Sequence, residues 1–143
     1  MTHERELPIA LRAWLTRDDH DVAGWAPDPP ASELSCTPEL VERLTQVARP
    51  AARGAARAWV EGSPVVHHPN GAPIACASGA DVLVVRSDEP AGALAPASPV
   101  GGLDETWVAL DPWAVDTSFA RTGELLKMHV HRAYELAGAR AWR

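Results

Sequence analysis

With 143 residues, 46% of them hydrophobic and 22% charged, the chain is long enough to bury a core of its own and too ordinary in composition for a disordered or fibrous protein. Acidic residues outnumber basic ones 19 to 13, a net charge of −6, and Lys and Arg are scattered, so a phosphate backbone is repelled on average and nucleic acid is an unfavoured partner. No apolar run approaches the roughly 18 residues that span a bilayer, and Met1-Thr2-His3-Glu4-Arg5-Glu6 lacks the charge and apolar stretch of a secretory signal, which predicts a cytoplasmic protein with no membrane partner.

Residues 5–17 place Leu7, Leu11, Trp14 and Leu15 at helical spacing, with Pro8 tolerated in the first turn, and predict a short helix with one apolar face. Residues 18–36 carry Asp18-Asp19-His20-Asp21 and Pro27-Asp28-Pro29-Pro30, a segment that can hold neither helix nor strand. It reads as a linker or surface arm anchored by Trp25. Thr37-Pro38-Glu39 is a helix start: a hydroxyl N-cap, proline where a missing N–H costs nothing, and an acid at the positive dipole end. Leu40, Val41, Leu44 and Val47 carry its apolar face until Pro50. The stretch from Ala51 to Ala58 fits either a further helical turn or a connection.

Val65-Val66-His67-His68 and Ala72-Pro73-Ile74-Ala75-Cys76 flank Asn70-Gly71, the pair that best populates a type I′ hairpin turn. Ser78-Gly79-Ala80-Asp81 supplies the next turn and Val82–Arg86 the third strand, bounded by Ser87-Asp88-Glu89-Pro90. With two central residues in each turn, Val65, Cys76 and Leu83 align on one face with His67, Ile74 and Val85. Val66, His68, Ala75, Val82 and Val84 then share the other. Residues 91–105 read as a Pro/Gly/Ala loop, most irregular from Pro96 to Gly102, and Thr106-Trp107-Val108-Ala109-Leu110 as a fourth strand. From Phe119 the spacing turns helical, with Leu126, Val130, Ala133 and Ala137 in one narrow arc and Tyr134 beside it. The expected fold is α+β, an antiparallel four-stranded β-meander packed with N- and C-terminal helices, residues 1–36 forming the helix and arm and residues 37–143 the domain. Residues 5–17 are predicted to cover the second face of the sheet, of their own subunit or of a symmetry mate in a homodimer, because open sheet edges with apolar faces recruit other chains.

From residue 37 onward this order resembles the TfoX amino-terminal domain family, in which a helix precedes a sheet meander and a second helix closes the domain. Gly71-Ala72-Pro73-Ile74-Ala75-Cys76-Ala77-Ser78-Gly79-Ala80-Asp81-Val82-Leu83-Val84-Val85-Arg86 is similar to that family's turn, apolar strand, Gly turn and strand ending in a basic residue. Pro99 to Pro112 is similar to its Pro-containing loop into an aromatic-valine strand, and Ala133-Tyr134-Glu135-Leu136-Ala137 to a helix end shared with the related YjbR/MmcQ-like group. The family's basic-Met-Phe-Gly-Gly stretch is replaced here by Arg57-Ala58-Trp59-Val60-Glu61-Gly62. The resemblance implies a non-enzymatic regulatory or binding domain.

Four histidines, His67, His68, His129 and His131, invite a metal reading. Adjacent strand residues face oppositely and an i, i+2 helical pair diverges, so no zinc pattern results. Cys76, between alanines mid-strand, and Cys36 read as small buried hydrophobes. Asp18, Asp19 and Asp21 lack the Gly and terminal Glu of a calcium loop. No Gly-rich phosphate loop is present, and no cofactor is implied. Six tryptophans, Trp14, Trp25, Trp59, Trp107, Trp113 and Trp142, exceed what the core of such a chain requires, and indole suits a flat apolar ligand or a partner surface. The expected ligand-binding residues are Trp25, Trp59, Trp113, His67 and His129. The leading expectation is a small non-catalytic binding or regulatory domain recognising an apolar or aromatic small molecule or a protein partner. The alternatives are an enzyme of secondary metabolism using His67 and His129 as acid/base or metal ligands and, implied by the resemblance alone, a transcription-related nucleic-acid-binding regulator.

Overall fold

The computed structural model describes residues 5–87, 97–103, 106–113 and 119–139. In chain order these form β1 (Arg5–Glu6), α1 (Ile9–Leu15), a 3-10 turn (Ala31–Glu33), α2 (Pro38–Ala51), β2 (Ala56–Val60), β3 (Ser63–His67), β4 (Pro73–Ser78), β5 (Val82–Arg86), β6 (Ala97–Gly101), β7 (Trp107–Leu110) and α3 (Phe119–Ala139). The fold is α+β. Strands β3, β4, β5 and β7 are the four of the expected meander and lie side by side in a seven-stranded sheet of order β1-β6-β7-β5-β4-β3-β2. Every neighbouring pair is antiparallel except β1 with β6.

Helix α2 begins as its sequence dictates: the Thr37 hydroxyl oxygen accepts the Leu40 N–H at 3.3 Å, with Pro38 at the first helical position. Pro50 sits within its last turn, so the helix runs one residue further than expected. Helix α1 is shorter than residues 5–17, because Pro8, with ψ 149°, stands at the cap and the preceding Arg5–Glu6 pairs with β6. In α3 the expected stripe, Leu126, Val130, Ala133 and Ala137, is fully buried.

The two faces of the sheet are covered separately. Helices α2 and α3 pack on the face that carries Val66, Ala75, Ala77, Leu83, Val85 and Leu110. On the other face Leu7, Leu11 and Leu15 seal Val65, Cys76, Val84 and Ala109. Burying three such leucines contributes roughly 1.5–3 kcal/mol each. Residues 7–15 therefore cover their own sheet on the side opposite α2 and α3, but the face they cover is that of Val65 and Cys76, whereas the face of Val66 and Ala75, which they were expected to cover, meets α2 and α3. Both cysteines are buried thiols, which burial pushes up, Cys36 to about 11.

The register departs from the sequence expectation at two places, a bulge after Val66 that sets His67 opposite Pro73 rather than Ile74, and the turn after β4. Val65 faces Cys76 as expected, but Cys76 faces Val84 and Ala77 faces Leu83. Ser78 pairs with Val82, so Gly79, Ala80 and Asp81 make a three-residue turn where two were assumed, and that one-residue difference moves Leu83 and Val85 to the face of Val66. The Asn70-Gly71 loop is a hairpin but not a type I′ turn. Gly71 N–H donates to the His68 carbonyl at 2.9 Å, a bulge shifts the pairing after Val66, and positive φ occurs at Gly71 alone (100°). The Asn70 carboxamide bridges the loop instead, accepting from Ala72 N–H at 3.0 Å and donating to the Ala137 carbonyl at 2.9 Å.

Besides β1, two strands lie where no strand was expected. Residues 97–101, part of the expected loop, form β6 beside β7, with residues 88–96 and 104–105 outside the described residues, as is Trp142. The Ala51–Ala58 ambiguity resolves to a helix end followed by β2. Its hairpin to β3 turns on Glu61 and Gly62, whose φ values of 49° and 84° have the signs a type I′ turn requires. A Cβ at Gly62 would collide with the Glu33 carbonyl and Ser35, so the chain after the 3-10 turn lies directly on this hairpin.

Candidate functional site

Residues 22–35 do not hang from the sheet as a free arm. They run along the outer edge of β2, where Arg57 N–H donates to the Gly24 carbonyl at 3.0 Å and Ala26 N–H to the Arg57 carbonyl at 3.1 Å. Trp25 and Arg57 thus form a short parallel bridge that occupies the strand edge. The prolines that follow cannot donate to a ladder, and the chain leaves the edge to cross α2.

Arg57 organises this region. Its side chain is 96% enclosed by the fold, being only 4% exposed, and every part of its guanidinium is engaged. Nη2 donates to the Ala26 carbonyl at 2.6 Å and pairs with Asp28, Nε donates to the same carbonyl at 3.2 Å, and Nη1 reaches the Thr45 hydroxyl at 3.4 Å. The guanidinium also lies over two indoles, 4.9 Å from the Trp25 ring centre and 4.7 Å from that of Trp59. A buried cation is tolerated only when paired and hydrogen-bonded, and here the arm supplies both functions. Alternation explains the partnership: positions 57 and 59 of one strand project to the same face.

Between the arm and α2 opens a cleft of about 570 Å³. One wall is Trp25, Pro27, Pro29 and Leu34; the other is a single stripe of α2, Pro38, Val41, Glu42, Thr45 and Arg49, at helical spacing. Four charged residues line it. Asp28 and Arg57 satisfy one another, and Glu42 accepts from Gln46 Nε2 at 3.3 Å. Arg49 is exposed in the last turn of α2, with its guanidinium 4.9 Å over the Trp25 ring, and among the described residues no carboxylate pairs with it. The walls are proline-rich and mixed apolar and charged, and the size falls within the roughly 300–1,000 Å³ of small-molecule sites.

The expected binding residues do not converge. Trp25 lines the cleft and Trp59 stands behind it, joined through Arg57, with its indole Nε1 enclosed and without a hydrogen-bond partner. Trp113 sits elsewhere, donating from Nε1 to the Ala80 carbonyl at 3.0 Å with the Arg43 guanidinium 6.0 Å from its ring. His67 is wholly buried beneath α1. Its Nδ1–H donates to the Gly71 carbonyl at 2.8 Å, and its Nε2 accepts the Trp14 indole N–H at 2.9 Å. His20 stacks on Trp14 with ring centres 4.0 Å apart, stands edge-on to His67 at 5.2 Å, and donates from Nε2 to the Trp14 carbonyl at 2.7 Å. Burial holds His67 down to about 4, with His20 adding to the depression and the Gly71 bond opposing it. It is a neutral imidazole with both nitrogens occupied. His129 is half-buried on α3, which packs on the opposite face of the sheet from α1, so His67 and His129 do not meet. Among the described residues no three His, Cys, Asp or Glu side chains come together as a metal site requires.

Arg49, Arg57 and the proline wall are the features that sequence reasoning passed over. The alternation Arg57-Ala58-Trp59 was the available signal for the stacked cation. No helix among the described residues is long and apolar enough to cross a membrane. No protein-family profile matches the chain, and neither a curated protein nor a solved structure matches it.

Proposed function

We propose that the protein is a small, non-catalytic, cytoplasmic binding domain and that the cleft between residues 25–34 and α2 receives a flat apolar or aromatic small molecule. One observation carries the reading: a preformed cavity of about 570 Å³ with an indole and three prolines in its walls. Proline and tryptophan lose little conformational freedom when a ligand arrives, so such a wall binds without a large ordering cost. A concave site of this size favours a small molecule over a protein surface, which presents broader and flatter contact. The regulatory role implied by the TfoX resemblance belongs to the same proposal, supported by the helix, meander and helix that follow one another from residue 37.

Titration of intrinsic tryptophan fluorescence with a panel of planar aromatic metabolites tests it, comparing the native chain with Trp25→Leu. Saturable quenching that the substitution abolishes is the expected result. Quenching that persists unchanged in Trp25→Leu places the ligand elsewhere, and no response to any compound defeats the reading.

A further inference from the structure

We infer that the cleft selects an aromatic carboxylate, its ring along the wall of Pro27, Pro29 and Leu34 beside Trp25 and its carboxylate paired with Arg49. The inference rests on the cleft being a ligand site and adds the ligand's charge. Of the two cations in the walls, Arg57 is buried and already paired with Asp28, and each of its guanidinium nitrogens donates to Asp28, the Ala26 carbonyl or Thr45. Arg49 differs. It lies over the Trp25 ring at 4.9 Å, is exposed to solvent, and has no carboxylate partner among the described residues. Glu42, the other acid in the wall, is seven residues away along α2, about 10 Å at the helical rise, too far to neutralise it.

A planar guanidinium already resting on an indole presents its remaining N–H groups in a fork that matches a carboxylate's two oxygens. The same arrangement rejects a cationic ligand, whose charge the exposed Arg49 guanidinium repels. It also disfavours a phosphate dianion. Prolines contribute no N–H groups to cradle phosphate oxygens, and the single guanidinium of Arg49 leaves a second negative charge uncompensated. A monoanion with a flat apolar body satisfies both halves of the site.

Isothermal titration with 2-naphthoate and its neutral analogue 2-naphthamide separates the charge from the ring, using the full chain and Arg49→Gln. Because Arg49 is exposed, the substitution leaves the core untouched, and an unchanged thermal midpoint verifies this. The expected result is naphthoate binding roughly ten- to a hundredfold more tightly than naphthamide, the worth of a charge-assisted pair, with that preference lost in Arg49→Gln. Arg49→Lys is expected to keep part of the preference. Equal binding of both compounds to the native chain, or a preference that survives Arg49→Gln, overturns the carboxylate assignment and leaves the cleft reading standing. Binding of neither overturns both.

Discussion

Acidification is expected to weaken the fold through His67, by an amount the buried cluster fixes. The imidazole ordinarily titrates near 6.5 and is held down to about 4 by burial in the folded chain. A base whose folded value lies below its unfolded value is fully stabilising above about 6.5, and that contribution is lost as pH falls from about 6.5 toward about 4. Between about pH 7.5 and about pH 5 the linkage relation gives a loss of about 2 kcal/mol, out of about 3 kcal/mol for complete titration. The structural event is specific. A proton on Nε2 removes the acceptor for the Trp14 indole, which ties α1 to the sheet. Urea unfolding at the two pH values, on the native chain and on His67→Gln, isolates it, since a carboxamide can keep one donor and one acceptor but cannot titrate. Subtracting the variant's pH dependence removes the carboxylates common to both proteins. If the difference in unfolding free energy between the two proteins is the same at both pH values, the linkage argument is wrong.

Two further perturbations test the packing. Leu11→Ala removes a side chain 1% exposed between α1 and the sheet, and a loss of about 2–5 kcal/mol in denaturant unfolding is expected; a loss below about 1 kcal/mol would mean that α1 contributes little to that core. Gly62→Ala and Gly79→Ala both place a methyl group at positive φ, but only at position 62 does the new atom strike backbone, the Glu33 carbonyl, whereas position 79 faces open space. The expected order is a loss of about 1 kcal/mol at 79 and distinctly more at 62, and equal thermal shifts would show that residues 33–35 do not press on the hairpin.

What was legible in the sequence was what local chemistry decides. The cap Thr37-Pro38, the α3 stripe and the apolar runs of β3, β4, β5 and β7 each carry their signal within a few residues. The misreadings arose where tertiary context overrides it. Ala97–Gly101 has a loop's composition and becomes a strand because β7 and β1 flank it. Glu61-Gly62 is a weaker turn signal than Asn70-Gly71, yet it adopts the φ signs of a type I′ turn while Asn70 spends its side chain on Ala72 and Ala137. A turn longer by one residue at Gly79–Asp81 was enough to exchange the faces of β5. The cleft was least legible, because its walls come from residues 25–34, 38–49 and 57, and only the meeting of Arg57 with Ala26 and Asp28 gives it shape. Trp25 was found by its rarity in a polar arm; Arg49, one of several scattered arginines, had nothing local to distinguish it.

The segment that walls the cleft also closes the sheet. Residues 24–26 occupy the N–H and C=O of Arg57, so a motion that lifts them bares that donor and acceptor on the edge of β2. Occupancy of the cleft and resistance to self-association are then one variable. A molecule bound as proposed, clamping the arm, is expected to lengthen the shelf life of a concentrated solution, and a substitution that frees Asp28 from Arg57 is expected to favour strand-to-strand addition between copies from that edge.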